Sequence, residues 1–83
     1  MGGIRVMNDY ILFPSDRDGH MHLYLYNIDG RFIRQIEKGK YDVDEVYGFD
    51  ETTGNTYFQA AAKTPMQREI YVADKNGKVT CLT

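Results

Sequence analysis

Between His22 and Gly39 the chain reads H-L-Y-L-Y-N-I-D-G-R-F-I-R-Q-I-E-K-G, two apolar runs flanking an Asp-Gly pair. The pattern predicts a β-hairpin, because Gly takes positive φ without steric cost and Asp tolerates such a turn. Two registers fit. A two-residue turn sets Tyr26 opposite Ile33 and Leu23 opposite Ile36. A three-residue loop with Gly30 in the left-handed bulge position sets Leu25 opposite Ile33. In either register both strands carry apolar residues on both faces, which predicts a hairpin covered on two sides, as inside stacked sheets.

Similar patterns fill the rest of the chain. Tyr10 to Phe13 is a short apolar strand closed by Pro14 and the polar loop Ser15-Asp16-Arg17-Asp18-Gly19. Met21 to Ile28 and Arg31 to Glu37 are the hairpin strands. Asp44 to Phe49 follows, with Val46 and Phe49 as its expected buried positions. After the turn residues Asp50 to Asn55 come strands over Thr56 to Ala62, Arg68 to Ala73 and, beyond Asp74-Lys75-Asn76-Gly77, Lys78 to Leu82. Ala60 to Ala62 could open a helix, but the aromatic flank at Tyr57-Phe58 and the barrier at Pro65 favour a strand.

The two halves repeat. Leu12-Phe13 answers to Tyr57-Phe58, His22-Leu23-Tyr24-Leu25 to Glu69-Ile70-Tyr71-Val72, the turn at Gly30 to that at Gly77, and Ile36 to Leu82. A period in the forties with about four strands per unit is what a β-propeller blade requires. The fold expected is all-β, antiparallel sheets forming about one and three-quarter β-propeller blades. A partial first blade runs from about 4 to 39 and a complete second from about 41 to 83, in a single domain over 1–83. The first unit lacks its innermost strand unless Ile4 to Met7 supplies a piece of it.

Composition narrows the function. The chain has 83 residues, with seven Tyr, four Phe and no Trp, a bias toward strands. Its net charge of −2 comes without a block of either sign, so nucleic acid and membrane surfaces are not expected partners. No apolar run approaches membrane-spanning length. The single cysteine, Cys81, allows no internal disulfide or cysteine-rich metal site, and its alternating strand predicts a buried structural thiol.

Candidate chemistry is sparse. Ser15 is the sole serine, and it sits between Pro14 and Asp16 rather than in a G-x-S-x-G elbow. His20 and His22 are near it in sequence, but a triad requires convergence in space. Asp16 and Asp18 do not make a complete calcium loop, since Gly19 comes too early and Asn27 stands where the bidentate Glu is needed. Asp42, Asp44, Glu45, Asp50 and Glu51 alternate between strand faces, which predicts a polar sheet edge. No catalytic, cofactor-binding or metal residue is assigned, and no cofactor is expected.

A family resemblance rests on particular residues: Ser15 to Gly19, His22 to Tyr26, Asp29-Gly30, Ile33-Arg34-Gln35-Ile36, Lys38-Gly39 and Asp42 to Gly48. It continues through Tyr57-Phe58, Pro65-Met66, Arg68, Ile70-Tyr71 and Lys78 to Thr83. Together they resemble the propeller domain of the dipeptidyl peptidase IV family, in the prolyl oligopeptidase clan of serine peptidases. Tyr41 departs from the Trp usual in that family. TolB-like propellers share the S-D-R-D-G stretch, but their W-S-P-D-G continuation is missing at Asp42 to Gly48.

The resemblance implies a non-catalytic propeller piece of an exopeptidase that removes Xaa-Pro or Xaa-Ala dipeptides from peptide N-termini. Triad and substrate-gripping acidic pair lie elsewhere in such enzymes, so the 83 residues alone are expected to be inactive. Peptide substrate then belongs to the parent enzyme, whose family implies a periplasmic, cell-surface or secreted location. The alternative is a free-standing β module that binds a protein or peptide at a sheet edge. Open blade faces carrying Leu23, Leu25, Val46, Phe58 and Ile70, with strand edges at Tyr10–Phe13 and Lys78–Leu82, predict a homo-oligomer, most simply a two-fold dimer.

Overall fold

The computed structural model describes residues 5–6, 9–17, 19–64 and 67–83, and its described regular structure is all strand. The strands are β1 (Arg5–Val6), β2 (Tyr10–Ser15), β3 (His22–Asn27), β4 (Phe32–Gln35), β5 (Val43–Phe49), β6 (Thr56–Thr64), β7 (Gln67–Ala73) and β8 (Val79–Cys81). They form two four-stranded antiparallel meanders in sequence order, β1 to β4 and β5 to β8. The first unit does have a fourth strand. Arg5–Val6 pairs with Ile11 and Leu12, so β2 is not an edge. Ile4, Met7, Asp18, Pro65 and Met66, each part of an expectation above, lie outside the described residues.

Neither anticipated register holds along the whole first hairpin. Gly30 N donates to Asn27 O and Asn27 N to Arg31 O, closing the three-residue loop with Gly30 at φ +93°. That loop pairs Tyr26 with Phe32. A bulge then passes Ile33 by, and beyond it the pairing is that of the two-residue turn: Leu25 with Arg34, Tyr24 with Gln35, and Ile36 N donating to Leu23 O. Tyr26–Ile33 and Leu25–Ile33 are therefore not partners. One extra residue moves the following backbone by one position relative to its neighbour, which is what a bulge does.

The second hairpin closes with the same loop, Gly77 N to Asp74 O and Asp74 N to Lys78 O, and needs no bulge. The bulge at Ile33 explains a drift in the repeat. Gly30 and Gly77 are 47 residues apart, whereas Ile36 and Leu82 are 46 apart.

The sheets meet face to face. Leu12, Leu23, Leu25 and Ile36 of the first half join Val43, Phe58, Ala60, Tyr71 and Ala73 of the second in one buried cluster. Leu23, Leu25 and Phe58 are thus buried between the sheets, not open to solvent, while Val46 and Ile70 are half-buried. The apolar face of one sheet satisfies the other. Val43, rather than Val46 or Phe49, is the fully buried residue of β5, packed in the inter-sheet cluster, and its amide donates to Met21 O. Tyr10 and Phe49 meet edge to face at 5.6 Å across the same seam. Ala60 is a buried strand residue, paired with Val43 on one side and Glu69 on the other. Tertiary pairing overrides the helix propensity of the three alanines.

Candidate functional site

The most chemically dense place in the fold lies where β3 begins and β4 runs out. His22 and Glu37 are both buried, and His22 Nδ1 lies 2.6 Å from Glu37 Oε1. The second carboxylate oxygen accepts the Leu23 amide at 2.8 Å. The other ring nitrogen, Nε2, faces the Gly39 carbonyl at 2.9 Å. A carbonyl only accepts, so Nε2 carries the hydrogen there.

Burial raises the Glu37 carboxyl above its ordinary range, against the opposing pull of the Leu23 amide and the His22 charge. Tyr41 stands edge-on to the His22 ring at 5.2 Å and parallel to Phe58 at 6.4 Å, tying the cluster to the inter-sheet core. Its buried hydroxyl makes no hydrogen bond of standard geometry. Burial, then the nearby Glu37 charge, holds that phenol well above its usual value.

Serine, histidine and a carboxylate are close here without forming a triad. Ser15 pairs with His22 in the β2–β3 register. Yet Ser15 Oγ accepts from Arg17 N and Nε, each at 3.3 Å, while both His22 nitrogens are committed to Glu37 and Gly39. A base must offer a ring nitrogen to the nucleophile. His22 has none to offer Ser15.

The remaining candidates have local work. His20 lies 3.5 Å from Asp42, and Asp42 accepts the Met21 amide at 2.6 Å. Asp44 pairs with Arg68 at 2.7 Å. Asp50 accepts the amides of Thr52 and Thr53 in its turn, and Glu51 is exposed beside it. Asp16 O accepts the Gly19 amide, also within a turn. Among the described residues no three His, Cys, Asp or Glu side chains gather as metal ligands. Cys81 is half-buried, not sealed, with its thiol 3.6 Å from Glu69 and 3.5 Å from the Thr83 carbonyl. It ends the edge strand β8, which leaves one side uncovered.

A cavity of about 320 Å³ opens between the end of β4 and the β7–β8 turn, lined in part by Arg34, Lys38 and Lys75. Arg34 reaches across the seam to the Gly54 carbonyl at 3.2 Å. Burial lowers its pKa, and Asp74 partly restores it. Neither Glu37 nor Arg34 belongs to a motif that singles it out in the sequence. A signal for Glu37 is present all the same, since the two-residue register that sets Leu23 opposite Ile36 also sets His22 opposite Glu37.

Two repeated meanders of four antiparallel strands, packed face to face, are blades of a β-propeller. Residues 4–83 match the family model described as the dipeptidyl peptidase IV N-terminal region, and the chain belongs to that family. A dipeptidyl peptidase 4 of Arthroderma otae is 30% identical over 71 residues, covering 86% of this chain and 9% of the relative. The crystal structure of Porphyromonas gingivalis dipeptidyl peptidase 4 matches with a TM-score of 0.88 at 32% identity, over 98% of this chain and 12% of that one. The chain therefore spans about a tenth of the proteins it resembles.

Proposed function

We propose that this chain serves as a non-catalytic pair of blades in a serine exopeptidase of the dipeptidyl peptidase IV type, which removes Xaa-Pro or Xaa-Ala dipeptides from peptide N-termini. One observation carries the reading: residues 4–83 match the dipeptidyl peptidase IV N-terminal region. Beside it, the buried His22 and Glu37 bind each other and the backbone, so His22 offers Ser15 no free ring nitrogen. Acyl transfer needs a nucleophile, a base and oxyanion donors around one reacting atom. On this reading a separate hydrolase domain supplies them, and the blades shape the approach to it.

Two assays test the proposal. The purified chain, given an Xaa-Pro chromogenic substrate, is expected to release no dye. Release abolished by Ser15→Ala would overturn the non-catalytic assignment. The cellular polypeptide carrying this sequence, captured with an antibody to the chain, is expected to cleave the same substrate and to lose activity to a serine-directed inhibitor. Captured polypeptide with no such activity would overturn the exopeptidase assignment.

A further inference from the structure

The bulge in β4 decides which side chain faces the second sheet. It sets Arg34, and not Ile33, opposite Leu25. Cross-strand partners stand on the same face of a sheet. Leu25 packs in the inter-sheet cluster, so Arg34 is turned toward the second blade as well. An apolar residue is exchanged there for a cation.

A cation at such a seam costs free energy unless a counter-charge and hydrogen bonds offset the lost water. Arg34 meets that condition only in part. Its Nη2 donates to the Gly54 carbonyl of the second blade at 3.2 Å. Its Nη1 is buried with no hydrogen-bond partner. The nearby Asp74 carboxylate accepts the amides of Asn76 and Lys78, each at 2.9 Å, and is spent on its own turn. Among the described residues no carboxylate closes an ion pair with Arg34, Lys38 or Lys75. A buried donor without a partner calls for a bound ion or water.

The cavity of about 320 Å³ lies beside this guanidinium, and the exposed Lys38 and Lys75 share its lining. Gly54 lets the two cations of the seam close in. A Cβ there would stand 2.8 Å from Lys75 Cβ and 3.6 Å from Arg34 Nη2. Glu37 also borders the cavity, but its carboxylate is turned to His22 and the Leu23 amide. A cleft lined by charge of one sign concentrates counter-ions.

We propose that this cavity binds a small oxyanion, a phosphate or carboxylate group, held by Arg34 and Lys38 of the first blade and Lys75 of the second. The volume equals that of roughly ten liquid waters, so an organic part of the ligand fits beside the charged group. A guanidinium and two ammonium groups supply the donors such an anion accepts from. The inference goes beyond the proposed function and does not rest on it, because every lining residue belongs to these two blades.

Equilibrium dialysis of the cellular polypeptide carrying this sequence against radiolabelled inorganic phosphate, at fixed ionic strength in chloride, tests it. Saturable binding is expected. Lys75→Gln is expected to weaken it about tenfold, the loss of one charged hydrogen bond, and Arg34→Gln to weaken it further. Lys40→Gln, an exposed position away from the cavity lining, is expected to bind like the parent. Circular dichroism checks folding, and the exposed Lys75 keeps the test decisive should Arg34→Gln unfold. Unlabelled citrate forms the second arm. Displacement by citrate assigns the site to carboxylates as well, and phosphate that citrate does not displace assigns it to phosphate groups alone. No saturable binding, binding that Lys75→Gln leaves unchanged, or an equal loss in Lys40→Gln would each overturn the proposal. The last would mean diffuse attraction to surface charge, without a site.

Discussion

Glu37 holds the buried His22 ring by its Nδ1 at 2.6 Å while the Gly39 carbonyl holds Nε2 at 2.9 Å, so one residue from β3 is clamped by the chain leaving β4. With Nε2–H committed to the carbonyl, the Nδ1–Oε1 contact must itself contain a proton. Two bare acceptors would repel at that distance.

Removing one partner strands the other without water. Glu37→Ala is expected to destabilise the chain by about 3–5 kcal/mol, the range for breaking a buried pair. For a domain of this size that is a large share of the total. Glu37→Gln keeps the shape and an acceptor for the Leu23 amide, so it is expected to cost clearly less. Urea unfolding of both variants against the parent checks the order, and equal midpoints for all three would contradict it.

The same carboxyl makes stability depend on pH. Burial raises its folded value above the ordinary 4.5, so in that window the folded chain binds a proton that the unfolded chain has released. The contribution is fully present below 4.5 and is lost as pH rises through the raised value. Asp74 is shifted the other way, lowered first by the Lys78 amide, and its stabilising contribution is lost only below its ordinary 3.8. The two windows do not overlap. Urea midpoints are expected to fall between pH 4.5 and neutrality, and to fall less in Glu37→Gln. A profile that Glu37→Gln leaves unchanged would show that another group carries the slope.

Gly30 isolates the conformational term at a turn. It sits at φ +93° with open space where a Cβ would stand, so a substitution meets strain but no clash. Gly30→Val is expected to cost about 1–2 kcal/mol, and Gly30→Asn less, because Asn tolerates positive φ. Thermal melts that rank Val equal to Gly would contradict the loop geometry.

The repeat and the positions of the turns are legible in the sequence because they are written in local signals: Asp-Gly and Asn-Gly pairs, and apolar runs of strand length. The loop length at Asp29-Gly30 is not, since a two-residue turn and a three-residue loop both fit the local pattern. The bulge at Ile33 is not, because nothing local distinguishes Ile33 from Phe32 as the residue to be skipped. The burial of Leu23, Leu25 and Phe58 within the chain is not legible either. The sequence presents two apolar faces on each sheet, and which faces meet is a property of how the sheets stack. In the sequence His22 reads as the first residue of a hairpin strand, near Ser15 but with no partner marked. Its role depends on Glu37, fifteen residues away and opposite only in one of the two registers.

Packing of the two sheets against each other as blades is read most directly by proton NMR. Nuclear Overhauser cross-peaks are expected between the rings of Tyr10 and Phe49, and from Tyr41 to both His22 and Phe58, since these centroids lie 5.2–6.4 Å apart. Phe13→Asp, a change at an exposed position of the first sheet, should leave them unchanged. Cross-peaks confined to each sheet, with none linking Tyr10 to Phe49 or Tyr41 to Phe58, would contradict the packing of these sheets as blades.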